Sequence, residues 1–367
     1  MYIIVGAGIS GCVIARELAE QGKSVMVVES RGHIGGNCYD YVDDDTGIRL
    51  NKYGAHLFHT NDEGVWEYIN KHGQWERWDH KVLSMVDGKF VPVPVNITTT
   101  NRLCDVSIAN ESEMDEWLDS VQYKYADPKN SEEMALSRVG KVLYEKMFKP
   151  YTVKQWNKDP SELAPSVMAR IPVRNNFDER YFSDKYQALP SQGYTKWFEN
   201  ILDHHNIHVE LNTAYDDVDA GKVADAEGVI YTGPIDEYFK KAHGSLEYRS
   251  IDFKIEKLFD KGYFQPNSVV NYPSPDAPFT RIVEYKHFLH QASPHTIIVS
   301  ETTNDTGPAY YPVPNEQNMS LYERYRIMAE KEELEKNVYF VGRLANYKYF
   351  NMDQAVRNAL DFVSKIR

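Results

Sequence analysis

A chain that runs Tyr2-Ile3-Ile4-Val5 and then Gly6-Ala7-Gly8-Ile9-Ser10-Gly11 has few folds open to it. The apolar tetrapeptide reads as a strand buried on both faces. The segment after the glycines carries Val13, Ile14 and Leu18 inward at helical spacing until Gly22 stops it. Residues 24–29, SVMVVE, read as a second buried strand, so the first thirty residues form one βαβ unit. In such a unit Gly6 permits the tight turn, Gly8 lets a pyrophosphate approach the backbone, and Gly11 lets helix and strand pack closely. Glu29 stands eighteen positions after Gly11, at the end of the second strand, where a carboxylate accepts hydrogen bonds from a ribose. The glycine spacing alone is a weak signal, and a turn with no ligand is the competing reading. The strand, helix and acidic residue around it point to a bound dinucleotide.

Two further stretches separate FAD from NAD. Arg31-Gly32-His33-Ile34-Gly35-Gly36-Asn37 continues directly from the second strand, and its glycine pair lets backbone lie against a cofactor. Near the other end, Val341-Gly342-Arg343 precedes a helix starting near Met352, which brings a second helix N-terminus and a cation to the flavin end. Each piece alone reads equally well as a structural turn; together, at the two chain ends, they favour FAD.

The remaining pattern fills in an α/β chain. Thr60-Asn61-Asp62-Glu63 predicts a capping box, with a helix reaching residues 71–73. Residues 82–95 predict a hairpin turning at Asp87-Gly88 and closed by prolines. From about 110 to 170 the chain is charged, nearly free of glycine and helically periodic. Strand character returns over 207–232, and SVVNY, TRIVEY and TIIVSE between 245 and 305 predict an antiparallel sheet. Val356, Ala359, Leu360 and Val363 then share one face of a last helix. The expected fold is a discontinuous Rossmann-like FAD-binding domain from residues 1–80, 200–242 and 312–367. A helical substrate and lid domain spans 100–170, and an antiparallel β-sheet domain takes 81–99, 171–199 and 243–311.

Composition narrows the partners. The 367 residues carry 41 Lys+Arg against 54 Asp+Glu, a net charge of −13, which disfavours nucleic acid. An anionic small substrate then requires a local convergence of basic residues. Three cysteines form no disulfide framework, no Cys/His spacing supports a metal site, and no apolar run is long enough for a membrane span. The start at MYIIVGAG leaves no signal peptide, so a cytoplasmic location is expected. The 26 tyrosines suit a nucleotide or sugar site, although most tyrosines of a chain are core or interface residues.

The strings HIGGNCYD, NKYGAHLFHT, YTVKQW, RIPVRNNFDERYFSDKYQALPSQGYT, IYTGPID, EYRS, FTRIVEYKHF, YYPV and GRLANYKYFNMDQ are long and compositionally unusual. Through them the sequence resembles the bacterial-type UDP-galactopyranose mutases along nearly its whole length. That resemblance implies an isomerase that interconverts UDP-galactopyranose and UDP-galactofuranose with no net electron transfer, in the service of cell-surface polysaccharide synthesis. It implies that the FAD must be reduced, by NAD(P)H or a reductase, and that its N(5) forms a flavin–sugar adduct through which the ring opens and recloses. A homodimer is one assembly in keeping with it.

The resemblance also assigns residues. Arg170 and Arg281 hold the diphosphate, and Arg170 begins a mobile lid; Arg174 is its neighbour. A guanidinium suits phosphate better than an ammonium does. Tyr151, Thr152, Trp156, Tyr181, Phe182, Asn271, Tyr311 and Tyr349 surround uridine, diphosphate and sugar, with His59 and Tyr349 also in catalytic positions. Gly8, Ser10, Gly11, Glu29, Arg31, Gly36, Asn37, His56, Arg249, Arg343 and Met352 fall at the cofactor, and Glu301 matches an acidic position nearby. Read without the family, His56 and His59 are better explained as histidines satisfying buried backbone groups, and each aromatic as core.

Two departures bear on the sugar. Bacterial mutases usually carry Tyr-Tyr-Asp where this chain has Tyr349-Phe350-Asn351, and an asparagine near His80. The same chemistry on UDP-N-acetylgalactosamine or a 6-deoxy sugar nucleotide is therefore the alternative. An FAD-dependent amine or polyene oxidase and a flavin-free module of the Rab GDP-dissociation inhibitor type are the rivals from other classes.

Overall fold

The computed structural model describes residues 1–169, 171–304, 306–313 and 315–366. Five short strands lie parallel in the order Ile207–Leu211, Val25–Glu29, Tyr2–Val5, Gly228–Tyr231 and Val338–Phe340. Numbered along the chain that order is 3-2-1-4-5, the Rossmann arrangement. Every residue of Val25–Glu29 and Gly228–Tyr231 is buried, as a sheet covered on both faces requires.

The helix Ile9–Glu20 turns Val13, Ile14 and Leu18 into the core against the C-terminal helix Met352–Lys365. Each such side chain contributes about 1.5–3 kcal/mol. The first of these helices can lie close on the first strand and its turn because Gly11 lacks a Cβ, which would stand 1.9 Å from the Gly6 carbonyl oxygen.

A seven-stranded sheet runs Tyr311–Pro312, Tyr248–Leu258, Thr296–Asn304, Arg281–Glu284, Val269–Asn271, Leu83–Val86 and Lys89–Pro92. It is antiparallel except where Val269–Asn271 lies parallel to Leu83–Val86. The hairpin does turn at Asp87-Gly88, both at positive φ (50° and 73°). A smaller sheet sets Tyr186–Pro190 between Phe58–Thr60 and Trp75–Arg77.

Helices Ile97–Leu103, Glu111–Val121 and Ser131–Leu143, a π-turn at Tyr144–Phe148 and helix Lys149–Trp156 enclose a separate apolar core around Leu103, Met114, Val139 and Leu143. The expected capping box at Thr60 is replaced by a cap two residues on. Asp62 accepts from the Val65 N–H at 3.0 Å and starts the helix Glu63–Lys71, while Thr60 Oγ1 donates to Asp353 at 3.0 Å. Helices Tyr194–Leu202 and Glu316–Lys336 have no counterpart in the sequence reading. No helix among the described residues is long and apolar enough to cross a membrane.

Gly11→Ala should leave little soluble, cooperatively folded protein, because the added carbon meets backbone. Asp62→Ala should remove about 1 kcal/mol, the ordinary value of a cap. Urea unfolding of both variants checks the contrast; similar midpoints would contradict the packing described here.

Candidate active site

The parallel sheet reverses its strand order between Tyr2–Val5 and Gly228–Tyr231, and a cleft of about 890 Å³ opens at their carboxyl ends. Open α/β sheets take ligands at such switch points. Gly6, Gly8 and Ser10 line it beside Thr232 and Gly233. Glu29 is buried there, and its carboxylate accepts from the N–H groups of Ala7 and Arg31, each at 2.9 Å. The Arg31 guanidinium donates to Asn37 Oδ1 at 3.0 Å and lies 4.5 Å from the Tyr53 ring centre, which folds the Arg31–Asn37 stretch back over the cleft. A Cβ on Gly36 would stand 2.9 Å from the Gly8 Cα, so only glycine lets these two loops pack backbone to backbone in the cleft wall.

His56, Cys38, Arg343, Leu344, Phe350 and Met352 close the other end. The His56 Nδ1 lies 2.8 Å from the Gly54 carbonyl oxygen, which can only accept, so Nδ1 carries the proton. Burial, then the charges of Arg343 and Arg281, lower the His56 pKa to about 4; the ring is neutral and Nε2 an acceptor.

Ala55 and Leu57, flanking His56, belong to a second cavity of about 190 Å³. Its polar lining is His80, Ser84, Tyr151, Tyr181, Asn271 and Arg281; Val82, Val93, Met147, Phe148, Ile171 and Phe182 are among its apolar members. Arg281 Nε donates to Glu301 Oε2 at 2.6 Å, and Glu301 is only 2% exposed. Burial works against the guanidinium charge, but Glu301, Tyr151 and Tyr311 outweigh it and raise the Arg281 pKa. Burial raises the Tyr151 phenol too, keeping it neutral. The His80 Nδ1 accepts from the Trp78 indole N–H at 3.4 Å, and burial, then Arg281 and His59, lower its pKa to about 3.

The expected residues fall unevenly around these two spaces. Arg170 lies outside the described residues. Gly8, Ser10, Glu29, Arg31, Gly36, Asn37, His56, Arg343 and Met352 line the cleft, and Tyr151, Tyr181, Phe182, Asn271 and Arg281 line the cavity. Tyr311 and Tyr349 stack on each other at 5.5 Å and on the Arg343 guanidinium at 4.9 and 4.7 Å.

Others are set back. His59 lines neither space: its Nδ1 pairs with Asp184 at 2.9 Å and its ring stacks on Phe182 at 3.7 Å. Trp156 is buried with Leu163, Val167 and Val313, and Thr152 is buried near Met168. Arg249 is buried in its strand and donates to the Gln155 carbonyl at 3.1 Å. Gly11 acts in packing. Identity and spacing do not tell which side of a wall a ring faces, and here packing on the second wall takes these residues.

Thr213, Tyr215, Tyr231, Thr232, Gly233 and Tyr238 at the cleft escaped the sequence reading. Thr232-Gly233, directly after an apolar run, carried the same strand-end glycine signal as Gly6. Met147 and Phe148 reach the cavity from the π-turn, which no periodicity announces.

Sheet order, glycine turn and cleft define a Rossmann-like dinucleotide-binding protein, and residues 4–71 match the NAD(P)-binding Rossmann-like domain. Residues 146–349 match the family model of UDP-galactopyranose mutase. A probable UDP-galactopyranose mutase of Klebsiella pneumoniae is 39% identical over 99% of this chain and 95% of its own. A dTDP-fucopyranose mutase of Escherichia coli is 35% identical over 98% of this chain and 96% of its own. A crystal structure of reduced UDP-galactopyranose mutase shares the fold at TM-score 0.78 and 16% identity, over 100% of this chain and 93% of that one. The chain belongs to the UDP-galactopyranose mutase family, and is an enzyme of the isomerase class.

His56 and His80 take up protons near pH 6.5 when unfolded but only near 4 and 3 when folded, so stability should fall as pH drops from about 6.5 toward 4. His80→Gln should flatten that fall. Melting temperatures of the two proteins across this range test it; parallel curves would contradict a neutral, buried His80.

Proposed function

We propose that this chain interconverts UDP-galactopyranose and UDP-galactofuranose on reduced FAD, with no net transfer of electrons. One observation carries the reading: a dinucleotide-sized cleft and a hexose-sized cavity adjoin at Ala55-His56-Leu57, with Arg281 in the cavity wall. The cleft suits FAD because bare backbone at Gly6, Gly8, Gly35 and Gly36 lines its wall, and because Arg343 Nε is buried with no partner among the described residues. Gly6, Gly8 and the N-terminus of helix Ile9–Glu20 would hold the pyrophosphate, Glu29 a ribose, and His56, Arg343 and Met352 the ring end. Residues 1–80, 200–242 and 312–367 are then the cofactor domain, and the cavity lies where it meets the helical and sheet domains.

When bound and reduced by an external donor, NAD(P)H or a reductase, the flavin supplies the nucleophile that replaces the nucleotide at the anomeric carbon. This chain's residues hold what the exchange releases. Arg281, steered by Glu301, keeps terminal N–H groups for the departing diphosphate, with Arg170 as the second cation. Neutral Tyr151 and His80 add no charge that would oppose it. Ser84 and Asn271, whose side chains bond no described residue, offer partners to sugar hydroxyls, and the apolar walls exclude water.

The apolar side of the cavity also favours a second reading, a 6-deoxyhexose on dTDP, in keeping with the dTDP-fucopyranose mutase among the relatives. Incubation of the reduced protein with UDP-galactopyranose, UDP-N-acetylgalactosamine and dTDP-fucopyranose, with chromatographic resolution of the products, distinguishes them; no ring-contracted product from any would overturn the function. Arg281→Ala should lower turnover by at least 100-fold while FAD stays bound, and normal activity in that variant would contradict the diphosphate assignment.

A further inference from the structure

The smaller cavity has walls that come from different parts of the fold. Met147 and Phe148 on the π-turn Tyr144–Phe148, and Tyr151 on the helix Lys149–Trp156, form one side. Asn271 and Arg281 form the other, opposite each other where the strands Val269–Asn271 and Arg281–Glu284 open into their connecting loop. The Tyr272 N–H closes that loop by donating to the Thr280 carbonyl at 2.8 Å. Arg281 also stands opposite Glu301 on the next strand and pairs with it. Apolar packing between helix and sheet is non-directional, so it does not by itself fix how far Tyr151 stands from Arg281.

Lys154 supplies a directional link between the walls. One helical turn beyond Tyr151, its Nζ donates to the carbonyl oxygens of Tyr272 and Ser274, at 2.6 and 3.0 Å. These carbonyls follow directly on Asn271, in the loop that leads to Arg281. The Lys154 carbonyl accepts from Thr303 Oγ1 at 2.6 Å, on the strand that carries Glu301. The next carbonyl, of Gln155, accepts from Arg249 Nε at 3.1 Å. Carbonyls in the last turn of a helix have no partner within it, and here the sheet provides them.

No carboxylate pairs with Lys154 among the described residues, and burial lowers its pKa to about 8. For an ammonium drawn toward neutral oxygens, desolvation offsets much of what the bonds supply. Direction is what the side chain adds, because both acceptors belong to one loop.

We infer that Lys154 is a positioning residue, which keeps Tyr151 on the helix in register with Asn271 and Arg281 on the sheet across the substrate cavity. The inference rests on the proposed reaction in that cavity. Lys154 takes part in no covalent step and acts through Tyr151 and Arg281. A shift of about 1 Å between such walls is enough to slow a reaction about 100-fold.

The test uses the flavin-loaded full chain, reduced with dithionite, and variants Lys154→Met, Lys154→Arg, Tyr151→Phe and the double variant of methionine with phenylalanine. Melting temperature, turnover of UDP-galactopyranose and calorimetric affinity for uridine diphosphate are measured on each. Lys154→Met should melt close to the parent yet lose roughly tenfold or more in kcat and about threefold in affinity for uridine diphosphate. Lys154→Arg should recover most of both, since a guanidinium can donate to the same two carbonyls. Tyr151→Phe should cost less in the Lys154→Met background than in the parent, by about threefold, because the phenol is already out of register.

Unchanged kcat and affinity in Lys154→Met, a loss that arginine does not restore, or additive effects of the two substitutions overturns the inference. If Lys154→Met does not fold, Lys154→Gln takes its place, with an amide too short to reach both carbonyls; failure of both to fold makes the residue structural and also overturns it. If the parent leaves UDP-galactopyranose unchanged, the proposed function falls, and the affinity for uridine diphosphate still decides on Lys154. A parent that binds no uridine diphosphate overturns both.

Discussion

The Glu29 carboxylate holds the molecule's working end together. By accepting from the N–H groups of Ala7 and Arg31 it ties the first glycine turn to the end of the second strand, across the edge where the cleft opens. Were that turn to relax, helix Ile9–Glu20 would lose its entry angle and the Gly6–Gly11 contact its geometry. The C-terminal helix packs on that same helix, so the placement of Asn351 and Met352 depends on the turn as well. A backbone pair and one carboxylate thus position groups more than three hundred residues apart in sequence.

Charge is arranged differently in the two spaces. In the cavity, Arg281 is met by a buried carboxylate, which fixes its direction and leaves part of the guanidinium for a ligand. In the cleft, Arg343 lies against the faces of Tyr311 and Tyr349 and has no carboxylate partner among the described residues. The neutral histidines sharpen the contrast, since neither His56 nor His80 carries charge at neutral pH. A chain of net charge −13 can therefore present positive sites to anionic ligands, because both guanidinium groups are gathered at one junction.

The opening βαβ unit is legible in the sequence because its glycines answer a steric demand that no other residue meets, and because buried parallel strands are written as apolar runs. The Asp87-Gly88 hairpin is legible for a similar reason: two consecutive positive φ angles narrow the choice of residues. The helix Glu316–Lys336 is not legible, since buried Tyr325 and Ala329 share it with exposed Ile327 and Leu334 and no single apolar stripe results. Thr60 and Asp62 both carry capping chemistry, and only the contact of Thr60 with Asp353, far along the chain, makes Asp62 the cap. His56 and His59 differ in the same way. Three residues apart, one faces the cleft and the other turns to Asp184, a partner 125 positions away.

Local sequence was enough for the dinucleotide turn, the type of most elements and the family, because short-range sterics and long motifs leave their marks in neighbouring residues. Which strands became neighbours, which aromatics faced the cavity rather than the core, and which arginine found a carboxylate were settled by packing. Those outcomes depend on residues brought together from both ends of the chain, and no spacing along the backbone encodes the distance between them.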